Sequence, residues 1–312
     1  MATATLAPAP DLDRILRTAQ LPALPQSAIK LLELSRDPDN GPTEFAAPIE
    51  ADPGLAGQIL KFVNSSYFGF SHEISSVKMA ITLVGIRTIK NFSLWSAVFS
   101  LMPNPKCGPF DLKNLWQDSL RRGLFSRAVA KLLGQKEAEE AFSAALLQDM
   151  AIPLLAKELP NDYLALLESR LDGQSRLSEL ELQRFGWNHA QAGAKIARAW
   201  KMPEGFANLV ERHISLDSDP NSRPLDTAQL AVSLSSLLPS VSDSRWHDYA
   251  RFEESYGFVF RAGGPSMNDL LARIDREFQD FAPMLKLTAP TKSLAVWRDD
   301  SVAAAVAAQA KA

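Results

Sequence analysis

Apolar positions recur at helical spacing from about residue 20 to residue 240, and Pro, Gly, Asp and Ser fall where helices start and stop. No segment alternates apolar and polar residues in the manner of a strand. Behind Asp52-Pro53, the residues Leu55, Ala56, Ile59, Leu60 and Val63 form one stripe; Asp can accept from the first free N–H groups, and Pro fits the first helical position. That stripe predicts a helix with one buried face. Ser75 is placed to cap a helix carrying Val77, Ala80, Ile81 and Val84, which Gly85 can end in a left-handed conformation, and a longer helix follows from Ile86 to Met102. Thr43 has the chemistry of a cap, yet Pro48 lies too deep behind it and removes a backbone hydrogen bond, so a kink or late start is expected there.

The stretch from Met102 to Phe110, MPNPKCGPF, holds three prolines and a glycine and predicts a connector between two helical units. Beyond it, Asp111 opens a long helix through Leu115, Trp116, Leu120 and Val129. Glu137 to Leu147 form another, with its end marked by Pro153. Ser178 and Glu181 have the spacing of a capping box, and Asn188 caps a helix to Trp200. Pro203 starts a helix through Phe206, Leu209, Val210 and His213, and Pro224 to Leu238 supply a strongly apolar one. Residues 240 to 265 are less regular. Ser266 then caps a late helix with Leu270, Ile274, Phe278 and Phe281 along one face, and no internal repeat is visible. The pattern predicts an all-α protein.

The 312 residues suffice for two packed units at roughly 100–200 residues per domain. With 46% hydrophobic and 22% charged residues, global disorder is excluded. Thirty-three basic against 36 acidic residues leave a net charge of −3, which supplies no field for steering onto nucleic acid or an anionic membrane, so neither is an expected partner. No run reaches the ~18 apolar residues that a membrane-spanning helix needs. Cys107 is the only cysteine, which excludes an internal disulfide and a Cys-based metal cluster and fits a reducing cytoplasm. The first residues, MATATLAPAP, lack the basic stretch and apolar segment of a secretory signal and suggest a short disordered lead-in.

Any imidazole chemistry must come from His72, His189, His213 and His247. His189 lies at the start of one helix and His213 near the end of the next, so an antiparallel pair could turn both rings toward one cleft. Asp149 ends the apolar helix AALLQDMA, an unusual place for a carboxylate unless it caps or coordinates. Together Asp149, His189 and His213 have the composition of a two-His, one-carboxylate metal site; the alternative is a helix-end acceptor and two hydrogen-bonded buried rings. In NSSYFGF, residues 64–70, Asn64 can end a helix, Tyr67 and Phe68 can wedge between helices, and Gly69 permits positive φ. This segment is either a structural loop or a partner-docking element built on Asn64, Tyr67 and Phe68. Two basic groups, Lys61, Lys78, Arg87 and Lys90, and Arg121, Arg122, Arg127 and Lys131, suggest solvated helix faces.

The segments LPALPQSAIKLLELSRDP, IEADPGLAGQILKFVNSSYFG and ISSVKMAITLVGIRTIKN resemble the N-terminal half of HDOD-domain proteins. The resemblance continues through LWQDSL, AFSAALLQDMA and FGWNHAQAGAKIARAWKMPEGFANLVERHI, and covers about residues 15 to 285. It implies an all-helical fold in which an N-terminal helical subdomain joins a degenerate relative of the HD metal-dependent phosphohydrolases; many such proteins resemble signalling regulators without detectable hydrolysis. Carried over residue by residue, the first metal-ligand His of active relatives falls at Asp118, and the His of the His-Asp pair falls at Gln148, with its Asp retained as Asp149. Two further histidines match His189 and His213, and the last metal-ligand Asp falls near Val232. Ala151 and Ile152 stand where active enzymes have Gly and Lys, and Ile214 where a second His often follows.

A two-metal hydrolase needs several imidazole and carboxylate ligands to hold an attacking hydroxide, whereas Gln offers a neutral amide and Val nothing. The expected organisation is a lead-in over 1–14, an N-terminal helical subdomain over 15–105, a degenerate HD-like helical domain over 106–285 and a tail over 286–312. The expected function is non-enzymatic bacterial signalling, with no cofactor and no metal, through another signalling protein or a small ligand in the vestigial cleft. The alternatives are a residual phosphohydrolase and a nucleotide- or metal-sensing module, the latter holding its ion on Asp149, His189 and His213.

Overall fold

The computed structural model describes residues 10–19, 21–135, 138–216, 226–261 and 263–309. Among them every regular element is an α-helix except one 3-10 turn over 282–285, and no strand occurs. The N-terminal half holds α1 (Leu12–Thr18), α2 (Gln26–Leu34), α3 (Pro42–Glu50), α4 (Pro53–Val63), α5 (Val77–Val84) and α6 (Ile86–Leu101). Asp52 caps α4 as its sequence requires: Oδ1 accepts from the Leu55 N–H at 3.1 Å. Its Oδ2 accepts from Ser27 Oγ at 2.9 Å, which ties α4 to the start of α2.

In this half, local punctuation differs from expectation at α3 and α5. In α3 there is no late start: Gly41 is the cap, Pro42 takes the first helical position, and the Glu44 carboxylate accepts from the Gly41 N–H at 2.9 Å. The helix runs through Pro48 to Glu50 because one missing hydrogen bond is outweighed by burial of Phe45, Ala46 and Ile49. Ser76, not Ser75, caps α5 by accepting from Met79 N at 3.2 Å, and Gly85 follows at φ +91°, ψ 147°, a positive-φ extended conformation rather than a left-handed helical one.

After the non-helical segment 102–110, Asp111 caps α7 (Leu112–Leu132), the longest helix. The chain continues through α8 (Ala138–Leu147), α9 (Ile152–Glu158), α10 (Pro160–Ser169), α11 (Leu177–Phe185), α12 (His189–Ala199) and α13 (Glu204–Glu211). Pro153 lies in the first turn of α9 instead of marking the end of α8; a turn over 148–151 separates them. Asn188 caps α12 in a full capping box with Gln191. Asp226 caps α14 (Thr227–Ser235); Pro224 and Glu137, expected as helix starts, lie outside the described residues. The sequence pattern assigns no individual helix at α1, α2, α9 or α10, nor at α15 (Tyr249–Val259) or α17 (Leu294–Gln309), which follows α16 (Met267–Phe281) within the expected tail.

One buried apolar cluster runs through both sides of the 102–110 segment. Phe99 stacks on Trp116 across it, with ring centroids 3.9 Å apart, and Phe62 stacks on Phe92 while meeting Phe281 edge-on. Helix α1 lies against α12, and the Trp187 and Trp200 indoles on either side of α12 donate to the Pro10 and Pro22 carbonyls.

α7 is enclosed by α8, α14 and α16, so its residues are buried around most of its circumference. Arg121 and Arg127, expected on a solvated face, are therefore buried. Arg121 donates to the Lys292 carbonyl, and Arg127 pairs with Glu277 at 2.9 Å beneath the rings of Tyr67, Phe142 and Phe281. Close approach depends on two glycines. A Cβ on Gly123 would lie 3.1 Å from the Phe142 ring of α8, and one on Gly193 would lie 3.0 Å from Val210 Cγ1 of α13. These contacts bring α7 to α8 and α12 to α13, and so set where Arg122, Asp149, His189 and His213 meet.

Candidate functional site

Asp149 sits in the turn after α8, 4% exposed. Arg122, one residue before the close contact of α7 with α8, donates through Nη1 to Asp149 Oδ2 in an ion pair. On the other side, Asp149 Oδ1 faces His189 Nε2 at 3.2 Å and His213 Nε2 at 3.6 Å, with the two imidazole centroids 5.3 Å apart. Both rings turn to the same carboxylate. His189 is the first residue of α12, and His213 lies just past the end of α13.

Each ring is fixed from behind. Glu181, fully buried, accepts at Oε2 from both the His189 backbone N–H (2.7 Å) and ring Nδ1 (2.6 Å), while Oε1 accepts from the buried Tyr163 hydroxyl at 2.5 Å. His213 Nδ1 donates to the Val210 carbonyl at 2.7 Å. Both imidazoles thus present Nε2 to Asp149, the orientation that a backing carboxylate or carbonyl imposes on metal-ligating histidines.

The charges follow from these contacts. Burial alone would raise the Asp149 pKa, but the Arg122 guanidinium and the His189 hydrogen bond hold it well below the usual carboxylate range. Burial would lower that of His189, yet the Glu181 charge and the hydrogen bonds to Asp149 and Glu181 hold it up at about 10. For His213 burial wins, with the neighbouring His189 charge adding to it, and the ring is pushed down to about 3 despite Asp149. Asp149 is thus flanked by the Arg122 guanidinium and an imidazolium, and faces the lone pair of a neutral ring.

The remaining expected positions separate clearly. Asp118 is buried and engaged, accepting from Ser240 Oγ at 2.5 Å and the Val241 N–H at 2.9 Å; burial raises its pKa. Gln148 is 1% exposed; its Oε1 lies 3.5 Å from Ser235 Oγ, and its Nε2 has no partner among the described residues. Asp118, Gln148, Asp149, His189 and His213 all line one cleft of about 380 Å³, whereas Val232 lies in the apolar core, fully buried, outside that lining. Asn64, Tyr67 and Phe68 do not border the cleft. Asn64 exchanges two hydrogen bonds with the Ile74 backbone, bracing the loop in which Gly69 has φ +62°, and Tyr67 packs on Phe281 at 4.3 Å with Phe68 against Phe62. Both rings are half-buried wedges.

Three participants are not in the expected set. Arg122 was placed on a solvated face, Glu181 in a capping box and Tyr163 nowhere. Arg176, not Ser178, holds the cap position of α11, and Glu181 shares the inward stripe of Leu177 and Phe185, spaced four residues either side. A carboxylate on an apolar stripe is the signal that marks it.

One ligand atom each from Asp149, His189 and His213 lie within 4.8 Å of one another, so the donor set fits one cation in size. It does not fit two. Gln148 supplies an amide, Val232 offers no side-chain ligand atom and lies outside the cleft lining, Asp118 is held by Ser240 and Val241, and Arg122 pairs with Asp149.

The HDOD domain family matches residues 21–216, more than half of the chain. This chain belongs to the HDOD family. An uncharacterized protein of Treponema pallidum (strain Nichols) is 27% identical over 207 residues, and this chain spans about 40% of that relative's length. Among solved structures, an HDOD domain protein of unknown function from Geobacter sulfurreducens is 19% identical with a TM-score of 0.66, covering 86% of this chain and 93% of its own. A candidate phosphohydrolase from Shewanella amazonensis SB2B is 19% identical with the same TM-score, covering 87% and 97%. A candidate signal transduction protein from Marinobacter aquaeolei VT8 has 19% identity and a TM-score of 0.62, covering 90% and 60%. At these identities the likeness shows the HDOD fold. No helix among the described residues is long and apolar enough to cross a membrane.

Proposed function

We propose that this HDOD chain is a non-enzymatic signalling module whose former metal centre is held together by its own side chains and whose output is noncovalent binding. The observation that carries this is the Arg122 guanidinium on Asp149: a fixed cation stands against the one carboxylate that the vestigial pattern retains, while Gln148 and Val232 replace ligands. A hydrolytic ion held at Oδ1 between the two rings would have to share the carboxylate with the Arg122 guanidinium on Oδ2 and take the proton from His189 Nε2. Incubating the purified protein with cyclic dinucleotides and simple phosphate esters in Mg²⁺, Mn²⁺ or Fe²⁺ tests this. No turnover is expected, and metal-dependent turnover abolished by Asp149→Ala would overturn the proposal.

A second reading, a single-ion sensor, is favoured by the convergence of two backed Nε2 atoms on Asp149. The two readings part on Arg122→Leu, which removes the internal cation. Calorimetry should find a Mn²⁺ or Zn²⁺ site in the variant and none in the parent; equal uptake by both would favour the sensor.

A further inference from the structure

One wall of the cleft is built differently from the rest. Between α14 and α15, Leu237, Leu238, Pro239 and Trp246 are buried, and Trp246 Nε1 donates to the Leu237 carbonyl at 2.7 Å, so the two stems of the intervening segment are pinned together. The residues held out between them, Ser240-Val241-Ser242-Asp243-Ser244-Arg245, include one apolar side chain, Val241, which is half-buried and outside the apolar cluster. A compact loop with joined ends and no apolar anchor at its tip is held by its polar contacts, the kind of element that opens without the rest of the fold.

Those contacts reach two other walls of the cleft. Ser240 Oγ (2.5 Å) and the Val241 N–H (2.9 Å) donate to Asp118 on α7. In the turn after α10, Arg170 Nη2 donates to both Asp243 oxygens (3.1 and 3.0 Å), and Asp172 accepts from the Ser244 N–H at 2.7 Å and from the Ser244 hydroxyl. Asp118, Arg170, Asp172, Ser240 and Asp243 all line the cleft, while Ser244 is exposed outside the lining, so the loop has the cleft on one side and solvent on the other. The turn that receives it is shaped for close approach: Leu171, Asp172 and Gly173 follow one another at φ 47°, 60° and 91°, and a Cβ on Gly173 would lie 2.6 Å from Asp243 Oδ2. Successive non-glycine residues at positive φ persist where surrounding contacts hold them, and the Ser244 bonds hold Asp172.

We propose that residues 240–245 form a lid over the cleft that opens and closes as one unit, fastened shut by Asp118, Arg170 and Asp172. Opening turns all three of these groups free in one movement. The lid governs entry whether the cleft binds its guest or reacts with it, so it stands apart from the non-enzymatic reading. Amide exchange of the full chain, followed residue by residue in NMR, tests it. Asp172→Asn weakens a contact to Ser244, yet a lid that moves as one unit should then exchange both the Ser244 and the Val241 N–H about tenfold faster, with the amides of α14 and α15 unchanged. Asp118→Asn should do the same from the other end; if it fails to fold, Asp172→Asn, at an exposed side chain, decides alone. Ile152→Cys adds a thiol to the cleft lining, the native Cys107 being buried outside it, and alkylation of that thiol should quicken when Asp172→Asn is combined with it. Exchange of the loop only at the pace of the flanking helices, variants that speed only the amide they bond, or unaltered alkylation would each overturn the lid while leaving the non-enzymatic reading intact.

Discussion

At the scale of single residues, the centre of the molecule is one unbroken chain of polar contacts from Tyr163 through Glu181, His189 and Asp149 to Arg122. Its two imidazoles sit in opposite states. His189, held at about 10 against an ordinary 6.5, favours the fold fully below 6.5, and that contribution is lost as pH rises toward 10. His213, pushed down to about 3, favours the fold above 6.5 and loses its contribution as pH falls toward 3. In nitrogen-15 NMR at pH 7, His189 should show both ring nitrogens protonated and His213 only Nδ1; two rings titrating together near 6.5 would contradict the network. Replacing Glu181 with Gln leaves the imidazolium short of its partner, so denaturant unfolding should show a loss of about 3 kcal/mol. A loss under ~0.5 kcal/mol would mean that the pair contributes nothing.

At the scale of elements, helix-to-helix approach decides where these side chains meet. Gly123→Val should clash with Phe142 and Gly193→Val with Val210, each costing about 1–3 kcal/mol in denaturant melts. A stability change within ~0.5 kcal/mol at either position would show that the contact is slack. The 64–70 loop is judged on the same ground. Tyr67 is half-buried against Phe281 and Arg127, so Tyr67→Ala should lower stability by about 2 kcal/mol; an unchanged melting temperature would return the ring to the role of a free docking anchor.

Helices with a dedicated cap or stripe were legible in the chain, as at Asp52-Pro53, Asp111, Asn188 and Ser266. Also legible was that His189, at the start of one helix, and His213, near the end of the next, could share a cleft. Arg122 and Glu181 were not, because an Arg on a helix and a Glu three residues after a Ser have ordinary surface explanations. Only the enclosure of α7 and the inward turn of α11 bury them. α17 escaped for a related reason: its Ala-rich sequence carries a weak stripe, and its attachment comes from long-range contacts.

At the scale of the whole molecule, those contacts join the C-terminal segment to the centre. Gln117 donates to the Thr288 carbonyl at 2.7 Å and Arg121 to that of Lys292, while Asp275 accepts from the Leu294 and Ala295 N–H groups. Leu294 and Trp297 are buried alongside. The segment therefore covers a buried guanidinium three residues from Asp118, the cleft carboxylate on the same helix. On the proposed reading the molecule supplies its own cation at Asp149, through Arg122, and needs no ion. The most direct measurement is the metal content of the full chain after incubation with Mn²⁺, Fe²⁺ or Zn²⁺ and desalting. Well below one ion per chain is expected; one or more tightly held ions per chain, lost in Asp149→Ala, would contradict the self-neutralised centre.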